Sequence, residues 1–238
     1  MKLIVITIMS LTLSSSIFAE SLDLNVSVKS AKLNQTYNLV KETDDTLVYK
    51  VKKRKMTGEL TITNQDGERD KEKINESRVP GKKRWDKGYN ILTIKKTSQE
   101  DTVSININSK ECSRYKRKVL CIDQNLDLEA YFNKGSWSDL KNGEEVVELE
   151  YTEDSMKTLY EAGEELMKRQ FSEQVTQGLK GSLAFKALLI LMGSSVDELS
   201  VSSRVNNFYQ DIFSISGSKK SLKTQDILDL DMNVYIYF

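Results

Sequence analysis

Apolar residues recur at every second position through most of the first 150 residues. "SLDLNVSV" places Leu22, Leu24, Val26 and Val28 on one face. "TLVYKVK" groups Leu47, Tyr49 and Val51, "GELTITN" aligns Leu60 with Ile62, and "DTVSININ" aligns Val103, Ile105 and Ile107. "YNILTIKK", "LDLEAYF" and "EEVVELEY" continue the pattern. Alternation with polar partners predicts half-buried antiparallel strands, eight or nine of them. Asp66-Gly67 in "NQDGERD" predicts a tight hairpin turn. "NESRVPGKKRWDKG", around the only proline, reads as a long polar loop.

The period changes near Thr152. Met156, Leu159, Tyr160, Gly163, Leu166, Met167, Phe171 and Val175 follow helical spacing, with Thr152 or Asp154 as the cap. "SLAFKALLILMG" is apolar nearly all round and predicts a buried helix ended by Gly193; "SRVNNFYQDIFS" reads as a third helix. The last residues alternate again. Leu230, Met232, Val234, Ile236 and Phe238 share a face and predict a strand that rejoins the sheet.

The first residues, "MKLIVITIMSLTLSSSIFAES", change the compartment. A lysine, an apolar stretch too short to span a bilayer, and a small Ala19 form a signal-peptide pattern, with cleavage expected after Ala19 and a mature start at Glu20. Export brings oxidising conditions, which decide how the only two cysteines are read. Cys112 and Cys121 lack the C-x-x-C redox spacing, and two thiolates without any histidine do not make a zinc site. A disulfide across a hairpin follows, holding Arg114, Lys116, Arg117 and Lys118 at an exposed tip. These four are the candidate anion-binding residues; the competing reading is a structural staple with a merely solvated tip.

Net charge is zero but unevenly placed. Residues 20–120 hold 23 Lys/Arg against 15 Asp/Glu, and residues 121–238 hold 11 against 20. That division fits two complementary halves or, more sharply, an anionic partner for the first half. The basic runs "KVKKRK" and "GKKRWDK" have the composition of nucleic-acid contacts, but export removes that partner. Absence of histidine excludes Ser-His-Asp and Cys-His catalysis. Ser216 to Lys219 match S-x-x-K without a companion K-T-G. Glu144, Glu145, Glu148 and Glu150 crowd one segment, yet Glu148 and Glu150 share a strand face rather than opposing across a cleft. Asp123, Asn125, Asp127 and Glu129, and again Asp229, Asp231 and Asn233, have alternating oxygens but no glycine to turn a calcium loop. No catalytic residue, metal or cofactor is assigned.

The C-terminal strand, with alternating apolar residues and a terminal Phe238, resembles the C-terminal signal of bacterial outer-membrane β-barrels. The resemblance covers about the last nine residues and implies a membrane barrel. The expected architecture is nevertheless α+β: a signal peptide at 1–19, a β-rich antiparallel, sandwich-like domain at 20–152, and a helical region at 153–238 whose final strand packs on the β-rich part. The expected function is that of an exported cell-envelope protein, periplasmic or at the cell surface. It is read as a non-enzymatic binding or accessory protein whose partner is an anionic envelope component or another envelope protein. The mature chain is expected to have no transmembrane helix. The alternatives are a carboxylate-dependent envelope hydrolase and an outer-membrane β-barrel.

Overall fold

Alternation extends further along the chain than its clearest segments indicate. The computed structural model describes residues 21–115, 118–143, 145–191, 195–212 and 215–238. Ten strands form one antiparallel sheet: β1 (Ser21–Glu42), β2 (Thr46–Asn64), β3 (Arg69–Ser77), β4 (Tyr89–Lys96), β5 (Thr102–Tyr115), β6 (Lys118–Lys134), β7 (Val147–Tyr151), β8 (Ser200–Ile212), β9 (Ile215–Ser218) and β10 (Ser221–Tyr237). In the order β1-β10-β9-β7-β6-β5-β4-β2, eight of them close into a barrel, because β2 also pairs with β1. β3 extends from β2 and β8 from β10, outside the closed ring.

This corrects the expected sandwich-like domain followed by a helical region. The segment read as a third helix is β8, which pairs with β10 along twelve positions from Asp226↔Ile212 to Tyr237↔Ser200. A bulge between Asp231 and Met232 of β10 disturbs the pairing, with Asn207 and Val205 as the flanking partners in β8. The resulting phase change in the apolar residues hid the two-residue period, and spacing alone does not separate such a pattern from a helix. The segment "AKLNQTYNLVKE" was missed for the same reason. β1 carries an irregularity between Val28 and Ala31, so Leu22 to Val28 face inward at even positions, whereas Ala31 and Tyr37 do so at odd ones.

The bulge has a definite geometry. Ser30 adopts a left-handed φ of 49°, and its N–H donates to the Asp229 carboxylate at 2.5 Å. Opposite it, Gly58 permits a close strand crossing: a Cβ there would lie 2.8 Å from the Ala31 Cα. β1, with 22 residues, spans about 70 Å at the ordinary strand rise. One half of β1, β2 and β10 lies in the barrel. The other half continues, with β3 and β8, as a five-stranded extension.

Two cores follow. Within the barrel, Leu47, Tyr49, Ile94, Ile105, Leu149 and Leu222 pack inward, and the short helix α1 (Trp137–Asn142) adds Trp137 and Leu140. On the extension, Leu22, Leu24, Ile62, Val234 and Ile236 form one face. The helix α2 (Glu153–Lys180) bridges both cores. Met156 and Leu159 join the barrel cluster, and Met167, Phe171, Val175 and Leu179 join the second. Thr152 caps α2 as expected, accepting from the Ser155 N–H, with Glu153 and Asp154 in the first turn. The Ser155 hydroxyl accepts the Glu129 N–H at 2.7 Å, tying the helix start to β6. The apolar segment after Gly181 forms α3 (Leu183–Leu191), but it is not buried all round: Leu189 is buried, while Leu183 and Ile190 are exposed. Gly193 lies outside the described residues.

The outward face of the barrel is polar. Lys50, Lys52, Asp123, Asp127 and Glu129 are exposed there. Asn106 donates to Asn125 at 2.9 Å and to Asp127 at 2.8 Å. No described helix is long and apolar enough to cross a membrane.

Candidate functional site: a basic rim beside the disulfide

The β5–β6 hairpin is longer than its neighbour. β4 begins at Tyr89, opposite Lys110, so the stretch of β5 beyond Lys110 has no β4 partner on that side. The loop 78–88 fills the gap. The Arg78 guanidinium donates to the Cys112 carbonyl, an acceptor that β4 does not reach. Gly88 lies against the Lys110 carbonyl, which a Cβ would approach to 2.6 Å. Under this loop Cys112 and Cys121, directly opposed across the hairpin, form the expected disulfide, and Cys112 is buried.

The loop holds Trp85 among cations. The Arg78 guanidinium lies 5.2 Å from the ring centroid, that of Arg114 5.9 Å and the Lys83 ammonium 6.0 Å. At such distances the face of the indole attracts positive charge and orders the side chains. Asp86 provides the counter-charge. It is buried, accepts from Arg78 at 2.8 Å and takes the Gly88 N–H at 2.9 Å. Burial alone would raise its pKa, but the Arg78 guanidinium and the Gly88 N–H outweigh this and hold it below the usual aspartate range. Lys83 and the other cations of the loop, Lys82, Arg84 and Lys87, are exposed. One fixed, internally paired carboxylate therefore supports an outward array of positive charge.

Of the residues expected at the hairpin tip, Arg114 is exposed and faces Trp85. Lys118 begins β6. Lys116 and Arg117 lie outside the described residues. Sequence reading treated "GKKRWDKG" and the cysteine hairpin as separate features. Their adjacency depends on where β4 stops relative to β5, and the only local signal was a tryptophan embedded among cations.

The other candidates separate. Glu150 faces outward, accepting from Tyr131 at 2.6 Å and Asn133 at 2.8 Å. Its neighbour Glu148 is on the same face of β7, and Glu144 lies outside the described residues. Lys219 pairs with Glu42 at 2.8 Å; Lys141 of α1 joins the same carboxylate at 2.9 Å. These two bonds depress the Glu42 pKa and leave the S-x-x-K lysine in a structural ion pair. Asp123 pairs with Lys110 at 3.1 Å, and Asp229 receives the Ser30 N–H. No group of three or more acidic or cysteine side chains among the described residues is arranged to hold a metal.

No protein-family model matches the chain, and no curated protein matches it either. The closed barrel fits the outer-membrane alternative better than the sandwich-based binding reading.

Proposed function

We propose that this is an exported envelope protein whose barrel stands in water and whose basic rim docks on an anionic, phosphate-bearing envelope surface. The observation that carries this reading is the Trp85 loop, where Asp86, Arg78 and the disulfide hairpin hold an array of cations outward. Fixing those charges before contact reduces the ordering cost of binding. The leader-like first 19 residues and the disulfide support export. The polar outer face supports a water-standing barrel, because a Lys or Arg on a lipid-facing strand costs about 2–4 kcal/mol at the bilayer midplane.

A second reading has its own observation. The closed ring, to which the first part of β10 belongs, fits an outer-membrane barrel, while the alternating residues 230–238 lie on the extension beside it. One set of experiments separates the two. Purified protein is sedimented with vesicles of phosphatidylcholine alone or with one third phosphatidylglycerol, at 50 mM and 500 mM NaCl. Binding is expected only to the anionic vesicles and only at low salt, and to fall at least tenfold when Lys82, Lys83, Arg84 and Lys87 are all changed to Ser. Equal binding to both vesicle types, or an unaffected variant, sinks the rim reading. Heat-modifiable migration with resistance to alkaline extraction from membranes establishes the integral barrel instead.

A further inference from the structure

The inner wall at the barrel mouth carries a second polar cluster that the rim does not use. Strand register builds it in rows. Thr224 of β10 lies opposite Gln35 of β1, which lies opposite Arg54 of β2; one step along, Asp226 faces Leu33, and Leu33 faces Met56. Residues directly opposed in a sheet share a face, so these six line one inner surface. Two further strands contribute from elsewhere in the ring. Glu111 of β5 pairs with Arg54, and Asn90 of β4 accepts from the Tyr37 hydroxyl at 3.3 Å while donating to Gln35 at 3.1 Å.

Most of this cluster is satisfied internally. The two exceptions are neighbours on β10. Asp226 is 8% exposed, and its carboxyl makes no hydrogen bond to a described residue; its oxygens are not fully closed off from solvent. The Thr224 hydroxyl is also buried and has no partner. Polar atoms buried without partners are uncommon and call for a missing group. The surrounding apolar wall is incompletely covered. Leu33 and Met56 beside Asp226, and Ile107 and Leu126 across the ring, face inward but are only half-buried, unlike the fully packed barrel core.

We infer that the barrel mouth binds a small amphiphile with a protonated amine head, the ammonium donating to Asp226 and Thr224 and the apolar body lying on Leu33, Met56, Ile107 and Leu126. The charge follows from the inventory. Arg54 and Glu111 cancel in their ion pair, so Asp226, whose carboxyl burial pushes up to about 7, sets the net charge of the cluster: neutral while protonated, one carboxylate above that pH. An acceptor without a donor selects a donor-bearing head, and a negative site selects a cation over a neutral alcohol or an anion. This inference does not depend on the rim reading, and neither one's failure removes the other.

Isothermal titration of the mature chain at pH 8.5, where Asp226 is ionised and an alkylammonium keeps its proton, tests it with three probes of equal tail length, each below its micelle or solubility limit: decylamine hydrochloride, decanol and sodium decanoate. Decylammonium is expected to bind saturably at one site, at least tenfold more tightly than decanol, with decanoate weakest. Asp226→Asn, which keeps the side-chain volume, is expected to weaken decylammonium at least tenfold while changing decanol less than twofold. Thr224→Val, isosteric and checked for folding by circular dichroism, is expected to weaken decylammonium about threefold and guards against misfolding of the first variant. Decanoate binding as tightly as decylammonium, no saturable binding of any probe, or a properly folded Asp226→Asn variant with unchanged affinity overturns the proposal.

Discussion

Asp226→Asn also has a consequence without any ligand. Desolvation pushes the Asp226 carboxyl up to about 7 from an ordinary 3.8, and only Arg54 acts against that rise. Tyr37 and Tyr151 lie close enough to feel its charge, and Glu111 stands beside Arg54; none of them donates a hydrogen bond to it. In the unfolded chain the group ionises near 4, whereas in the folded barrel it keeps its proton to about pH 7. Between those values the folded state holds one more proton than the unfolded state, so stability falls as pH rises. The contribution is fully present below about pH 4 and lost as pH passes 7. A difference of about 3 units at 1.36 kcal/mol each makes the loss of order 4 kcal/mol. Asparagine has no such titration and forfeits no hydrogen bond. The variant is therefore expected to equal the wild type near pH 4, and to be more stable at pH 8 by up to about 4 kcal/mol. Urea unfolding followed by tryptophan fluorescence at half-unit intervals from pH 4 to 8 measures this. The difference between the two curves removes the opposite contribution of carboxylates such as Asp86, whose lowered pKa supports the fold at higher pH. Parallel curves, or a variant less stable at pH 8, refute the argument that Asp226 is a buried and uncompensated carboxyl.

Three further outcomes follow from the packing. Reducing the Cys112–Cys121 bond, or replacing both cysteines with Ala, opens a ten-residue loop and is expected to cost about 2.5 kcal/mol in the chain-entropy model, read as a lower urea midpoint. Gly58→Val drives a side chain into Ala31 at the strand crossing and is expected to destabilise by about 2–3 kcal/mol; an unchanged melting temperature means that β1 and β2 can separate there. Thr152→Ala removes the acceptor for the Ser155 N–H at the start of α2 and is expected to cost about 1 kcal/mol, visible as faster amide exchange in the first helical turn.

Much of the local structure was legible in the residues. Leu22 to Val28, Leu47 to Val51, Val103 to Ile105 and Leu230 to Ile236 alternate because one face of each segment meets a core, and each lies in a strand with that face buried. Thr152 and the helical stripe after it specified α2, and the cysteine spacing together with the export expected from the leader-like first residues pointed to the disulfide. Closure of the ring was not legible. Alternation records that a face is buried, but an opposing sheet and the far wall of a barrel bury it equally well. The deciding interaction is the pairing of β1 with β2 and β10 at once, which no segment encodes alone. Bulges concealed the rest, since one extra residue shifts the inward phase and makes β8 imitate a helix while hiding half of β1. The same holds for function. The four tip cations were visible in sequence, whereas the approach of Arg114 to Trp85 depends on β4 ending before β5 does. Asp226 carries no local signal, being one of several polar residues in the C-terminal segment. Only the register that sets it beside Leu33 and Met56, inside a closed wall, makes it a buried carboxyl without a donor.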